Sequence, residues 1–171
     1  MKNPGHPYPI IATIILLMLT ACVMSRTEPE TPIPPITIGS DLTAIDVCTA
    51  IPVDNMEAVI GRSLIAPPKR FDYYETKDSS GCWYDTGKDS EKTAYFGYVV
   101  IGPLKLYDDQ PLHLKKDVAG LGDEAYFNNG ADARQLWVKL NGKCSFVVAI
   151  GDRENEEGAL SIAKLLVSAI K

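Results

Sequence analysis

The chain has 171 residues, 46% of them apolar and 23% charged, with a formal net charge of −5. That composition suits a folded domain with its own core and excludes an intrinsically disordered chain. The acidic balance, with no run of basic residues, excludes a phosphate-reading surface, so nucleic acid is not an expected partner.

The first element is an apolar run from Ile10 to Ala21, ending in Leu19-Thr20-Ala21-Cys22. Twelve residues fall short of the roughly 20 that span a bilayer and match the apolar region of a secretory signal. Lys2 and the amino terminus supply its positive end. Leu-Thr-Ala-Cys resembles the bacterial lipobox: an aliphatic residue, a small one, Ala or Gly, then Cys. The resemblance implies cleavage before Cys22 and a diacylglyceryl thioether on its sulfur. Two or more acyl chains, palmitate among them, anchor a protein stably. The expected segments are therefore a signal peptide over 1–21 and a lipidated Cys22 opening a Pro/Thr-rich tether over 22–40. A single domain over 41–171 follows, held at the extracytoplasmic face of the cell membrane. Pro29, Pro32, Pro34 and Pro35 make the tether an extended, polyproline-like spacer.

Within the domain, Met56, Val59 and Ile60 give one apolar helical face. Asp54 and Glu57 lie in the early turns, and Gly61 provides a C-terminal stop. "APPKRF" then breaks regular structure. "GCWYD" and "TAYFGYVVIG" read as strands, and 94–101 is apolar enough to be buried on both faces. "PLKLYDDQPLHLKKDV" is ambiguous, with room for a short helix before Pro111. "EAYFNN", "RQLWVKL" and "KCSFVVAIG" are three more strands. Asn141-Gly142 signals a hairpin. A two-residue loop would pair Leu140 with Lys143 and mix both faces. A three-residue loop over 140–142 would pair Lys139 with Lys143 and give one clean apolar face; that register is preferred. Ala159, Ile162, Ala163, Leu166 and Ile170 form the apolar side of a terminal helix, with Glu154, Glu156 and Glu157 at its start and Lys164 and Lys171 towards its end. The sum is α+β: a mainly antiparallel sheet of about five strands, with a short N-terminal helix and a C-terminal helix packed on it.

Beyond Cys22, three cysteines remain, which allow three single pairings. Cys48 and Cys82 lie near element ends, whereas Cys144 sits in a strand, where a thiol packs as a small hydrophobe. The positions favour a Cys48–Cys82 bridge, with three free thiols as the alternative.

Asp46-Val47-Cys48, the helix ending at Gly61, Gly81-Cys82-Trp83-Tyr84, Gly120-Leu121-Gly122-Asp123-Glu124-Ala125-Tyr126 and Ala163-Lys164-Leu165-Leu166 follow one another in that order. Together they resemble a family of uncharacterised bacterial envelope lipoproteins, common in actinobacteria. The resemblance implies a small α+β domain and the same Cys48–Cys82 pairing, and carries no established activity. Val47, where Pro is usual, and Cys144 depart from the pattern.

Residues with catalytic potential are sparse. Asp123 and Glu124 are neighbours, so in a strand they point to opposite faces, and the flanking glycines read as turn-formers. His113 is the one histidine after Cys22, which leaves no multi-histidine metal site. Asp108 and Asp109 lack the spaced oxygen ligands of a calcium loop. There is no phosphate-binding glycine loop, nucleophile elbow or CxxC, so no cofactor or metal is expected. The expected function is a non-catalytic binding or accessory domain whose partner is an envelope protein or a small hydrophobic ligand. The alternative is a hydrolase or transferase with a site near Asp123, Glu124 and His113. Trp83, Tyr84, Tyr95, Tyr98 and Trp137 read chiefly as sheet residues, and an exposed patch among them would mark a binding surface.

Overall fold

The computed structural model describes residues 31–39, 41–73, 78–88, 94–109, 115–128, 134–151 and 155–171. Cys22, the apolar run and His113 lie outside them. Among the described residues no helix is long and apolar enough to cross a membrane.

Among the described residues seven strands form one antiparallel sheet: β1 (Lys69–Phe71), β2 (Ser80–Lys88), β3 (Ala94–Gly102), β4 (Lys116–Asp117), β5 (Glu124–Asn128), β6 (Arg134–Leu140) and β7 (Cys144–Ile150). Their spatial order is β1-β2-β3-β7-β6-β5-β4. Two meanders, β1 to β3 and β4 to β7, therefore join where β3 pairs with β7. The helices are α1 (Val47–Ala50), α2 (Val53–Ile60), α3 (Leu104–Asp108) and α4 (Glu156–Ala169). The fold class is α+β as expected, but the strand count of about five is corrected to seven. The two additions, β1 and β4, are the two edges of the sheet. They have three and two residues, too few to show the alternation by which a strand is read.

Alternation along the strands sorts two cores. On one face, Cys82, Tyr84, Val99, Ile101, Phe127, Leu136, Val138, Phe146 and Val148 meet α1, α2 and α4. On the other lie Tyr73, Tyr98, Val100, Tyr126, Trp137, Val147 and Ala149, with α3 resting over β6 and β7. α2 settles close to the sheet because position 97 is glycine; a Cβ there would fall 2.6 Å from Met56 Cε. α4 starts at a buried Asn155, whose Oδ1 accepts from Gly158 N at 3.0 Å while its Nδ2 donates to Val59 O. One side chain thus caps α4 and ties it to α2.

The β6–β7 hairpin takes neither register weighed above. Leu140 pairs with Cys144, Val138 with Phe146 and Leu136 with Val148. The three loop residues are 141–143, not 140–142. Asn141 (φ 55°) and Gly142 (φ 59°) make the left-handed turn that an Asn-Gly pair favours, closed by Lys143 N donating to Leu140 O at 3.1 Å. This register keeps Leu140 on the apolar face and sends Lys143 into the exposed loop. No lysine faces another, since Lys139 pairs with Ser145.

The tether expected over 22–40 does not run free to residue 40. Ile33 and Ile36 are core residues, 8% and 7% exposed. Ile36 makes a parallel bridge with Ile170: its N–H donates to Ala169 O at 2.9 Å and its carbonyl accepts from Lys171 N at 3.1 Å. Asn55, 1% exposed, fastens the start of this strap by donating to Thr31 O at 2.6 Å and accepting from Thr31 N at 3.2 Å. The strap also supplies a partner for a carbonyl at the end of α4, where helices leave acceptors unfilled. Burying each isoleucine is worth about 1.5–3 kcal/mol, which together with the hydrogen bonds to Asn55, Ala169 and Lys171 offsets the entropy lost in ordering the segment.

Candidate functional site

The Gly81-Cys82-Trp83-Tyr84 stretch of β2 serves both faces. Cys82 and Tyr84 turn towards the helices. The Cys82 sulfur stands 2.05 Å from that of Cys48, at disulfide distance, and Asp46 caps α1 beneath it by accepting from Cys48 N at 3.1 Å. Cys144 is free and buried. It lies two strands across and four residues along from Cys82, roughly 16 Å by strand spacing and rise, too far to compete for a bridge.

Trp83 turns to the opposite face and begins a row of rings. It pairs directly with Tyr98. The Trp83–Phe96, Trp83–Tyr98 and Phe96–Tyr98 centroids are 4.5, 5.8 and 6.3 Å apart, with interplanar angles of 15°, 11° and 5°. Phe96 and Tyr98 therefore stand side by side along β3, and the indole stacks across both from β2. Phe71 of β1 meets Trp83 edge-on at 6.3 Å and 84°. It reaches this position because residue 81 is glycine; a Cβ there would fall 2.9 Å from the Phe71 ring. Tyr73 closes the inner end against Tyr98 and Trp137, at 6.1 and 6.0 Å.

A buried polar chain fixes the row. Trp137 Nε1 donates to Gln135 Oε1 at 3.0 Å, and Gln135 Nε2 donates to the Tyr98 hydroxyl at 2.6 Å. Tyr98 is thereby held in one orientation, and Trp83 and Phe96 stack on a fixed ring. Each well-placed ring pair adds about 0.5–1.5 kcal/mol beyond area burial. Phe71, Trp83 and Phe96 nevertheless stay half-buried. Beside them Ile65 is 66% exposed; its N–H donates to Asp85 O at 2.9 Å, which places it next to β2. Sequence reasoning named Trp83, Tyr98 and Trp137 here but missed Ile65, Phe71, Phe96 and Gln135. They join one row only through cross-strand register, which no single segment displays.

The Asp123-Glu124 pair is split between two tasks. Asp123 Oδ2 accepts from Gly142 N at 2.8 Å, and its own N–H donates to Lys139 O at 2.8 Å, which pins the β6–β7 loop. Gly122 allows this approach: φ is 61°, and a Cβ would fall 2.4 Å from Lys139 O. Glu124 instead accepts from the Tyr107 hydroxyl at 3.5 Å on the aromatic face. Lys139 pairs with Asp108 at 3.0 Å and lies 4.9 Å over the Tyr107 ring. His113 is outside the described residues, so its relation to these carboxylates is not described. Burial, aided by the negative charge of Asp108, pushes the Tyr126 phenol up to about 12. Tyr107 is raised further by burial and Glu124, and Tyr84 by burial and Asp46.

A groove of about 410 Å³ lies elsewhere, between the strap (Pro34 to Gly39) and the Asp41 to Ala50 segment. Its two carboxylates are engaged locally: Asp41 accepts from Thr43 N and Oγ1, and Asp46 from Cys48 N. Among the described residues no cluster of three or more His, Cys, Asp or Glu is placed to hold a metal. No family model, curated protein or solved structure matches the chain.

Proposed function

We propose that this chain is a lipid-anchored lipoprotein of the bacterial cell envelope, of the family its motifs resemble. Its extracytoplasmic domain binds a partner through the aromatic face and performs no catalysis. Cys22, following the short apolar run, carries the lipid, and the paired Cys48 and Cys82 suit an oxidising compartment. The observation that carries the binding reading is the half-buried row of Phe71, Trp83 and Phe96, held rigid from below by Gln135 and Tyr98. Pre-ordered aromatic side chains at a surface are the residues that dominate binding energy at interfaces.

Two measurements test the two halves. Cys22→Ser moves the protein from the membrane to the soluble fraction or leaves an unprocessed precursor; unchanged mass and attachment contradict the anchor. The folded domain gives a saturable rise in the emission of anilinonaphthalene sulfonate. The Trp83→Ala/Phe96→Ala variant loses that rise while still melting cooperatively. No enhancement by the unmodified protein contradicts an accessible apolar surface.

A further inference from the structure

The Asn141-Gly142 turn carries a chemistry that the fold restrains. In an Asn-Gly step the glycine nitrogen can attack the asparagine side-chain carbonyl carbon, because glycine puts no Cβ in the way. The N–Cγ bond forms, the Cγ–Nδ2 bond breaks, and the amide leaves as ammonia with the proton of the attacking nitrogen. Water then opens the succinimide ring at either carbonyl, giving aspartate or isoaspartate. Water is the co-reactant, and Asn141, Gly142 and Lys143 are all exposed to it.

Two features oppose the first step here. The Gly142 N–H that must be given up donates to Asp123 Oδ2 at 2.8 Å. Losing that proton would leave a negative nitrogen at hydrogen-bond distance from a carboxylate, and a like charge disfavours ionisation. The second feature is conformation. Asn141 lies in the left-handed region, at φ 55°, where the following nitrogen is turned away from Cβ. Ring closure therefore needs rotation at Asn141. That rotation swings the Gly142 N–H off Asp123 and disturbs the turn-closing bond from Lys143 N to Leu140 O, 3.1 Å long.

The clamp is positioned from outside the hairpin. Leu121 is buried in the core. Gly122 passes so close to β6 that a Cβ would fall 2.4 Å from Lys139 O, and Asp123 N donates to that same oxygen at 2.8 Å. Asp123 is thus fixed to the last turn of the hairpin by both its main chain and its carboxylate. The glycines of Gly120-Leu121-Gly122-Asp123 gain a purpose that neither catalysis nor binding gave them. We infer that Asn141 is a latent deamidation site that Asp123 holds closed, and that its conversion to aspartate or isoaspartate follows opening of this clamp. Conversion puts a carboxylate one residue from the nitrogen that Asp123 holds, and isoaspartate lengthens the main chain within a three-residue loop. Both oppose re-closing, so an opening event leaves a lasting mark on the β6–β7 turn.

The test follows the peptide containing Asn141 by mass spectrometry while the full chain ages in mildly alkaline buffer, either folded or unfolded in urea. Asn129-Gly130, the other such pair in the sequence, calibrates the unfolded rate. Asn141 of the folded protein converts at least about tenfold more slowly than in urea. Asp123→Ala raises the folded rate about tenfold to a hundredfold, the worth of one hydrogen bond to a charged group. Asp123→Asn, equal in size but uncharged, raises it by less, and it decides the matter where Asp123→Ala no longer melts cooperatively. Equal rates for Asn141 in the folded and unfolded protein overturn the inference. So does an unchanged rate in the Asp123 variants, and a slower rate would make Asp123 a base that assists the attack, the opposite of a clamp.

Discussion

The two faces of one sheet are closed in different ways. The helical face is mainly aliphatic around three buried rings: Val99, Val138, Val148 and Ile162 meet across it beside Tyr84, Phe127 and Phe146, and three helices, a strap and a sulfur pair cover it. The other face carries both tryptophans and, among the described residues, has only α3, five residues long, as a helical cover. Aliphatic side chains need a second layer to leave water. Rings stacked on one another shield much of their own surface, so a face built from them stays folded while part of it remains open. Covering is thus complete where the domain needs stability and partial where a partner is proposed to bind.

The largest expected effect falls on the closed face. Cys48→Ala with Cys82→Ala removes a closure 34 positions long and lowers unfolding free energy by about 3–4 kcal/mol in urea titration. A loss under about 1 kcal/mol would mean that packing alone closes this face. Next comes the strap. Ile36→Ala costs about 2–3 kcal/mol and speeds amide exchange in the C-terminal peptide, because Lys171 N donates to Ile36 O. Unchanged exchange there would mean that the strap does not hold the end of α4. Trp83→Ala, at a half-buried site, costs about 1–2 kcal/mol in the same titration. A larger cost than Ile36→Ala would reverse the contrast between the faces.

The smallest effect is a titration. Tyr126 binds its proton up to about 12, and Tyr84 and Tyr107 hold theirs further still, chiefly through burial. Unfolded tyrosines lose the proton near 10. Above that pH the unfolded state binds fewer protons than the folded one, so stability is full below about 10 and falls as pH rises through 12. Phenolate absorbance of the folded protein should therefore lag behind that of the urea-unfolded chain. Coincident curves would contradict the burial of these phenols.

The helices and long strands were legible because each repeats its own period: Met56, Val59 and Ile60 in α2, the continuous run in β3, the terminal stripe in α4. The edges were not, since Lys69-Arg70-Phe71 and Lys116-Asp117 have no period to show. The strap carried a readable signal in the spacing of Ile33 and Ile36. Three residues make one polyproline turn, so both point the same way, and an apolar side on an extended segment signals docking. The hairpin register was missed by one loop position, because Leu140 was assigned to the turn rather than to the apolar face it completes. The ring row was beyond reading for a different reason. Phe71, Trp83 and Phe96 belong to three strands, and only pairing brings them together.

Oxidative footprinting of aromatic side chains by hydroxyl radicals tests the contrast between the faces most directly. Phe71, Trp83 and Phe96 should be modified readily in the folded protein, while Tyr84, Phe127 and Phe146 of the helical face, at most 1% exposed, stay protected until it unfolds. Trp83 as protected as Phe146 would contradict the account, because the face proposed to bind would then be sealed.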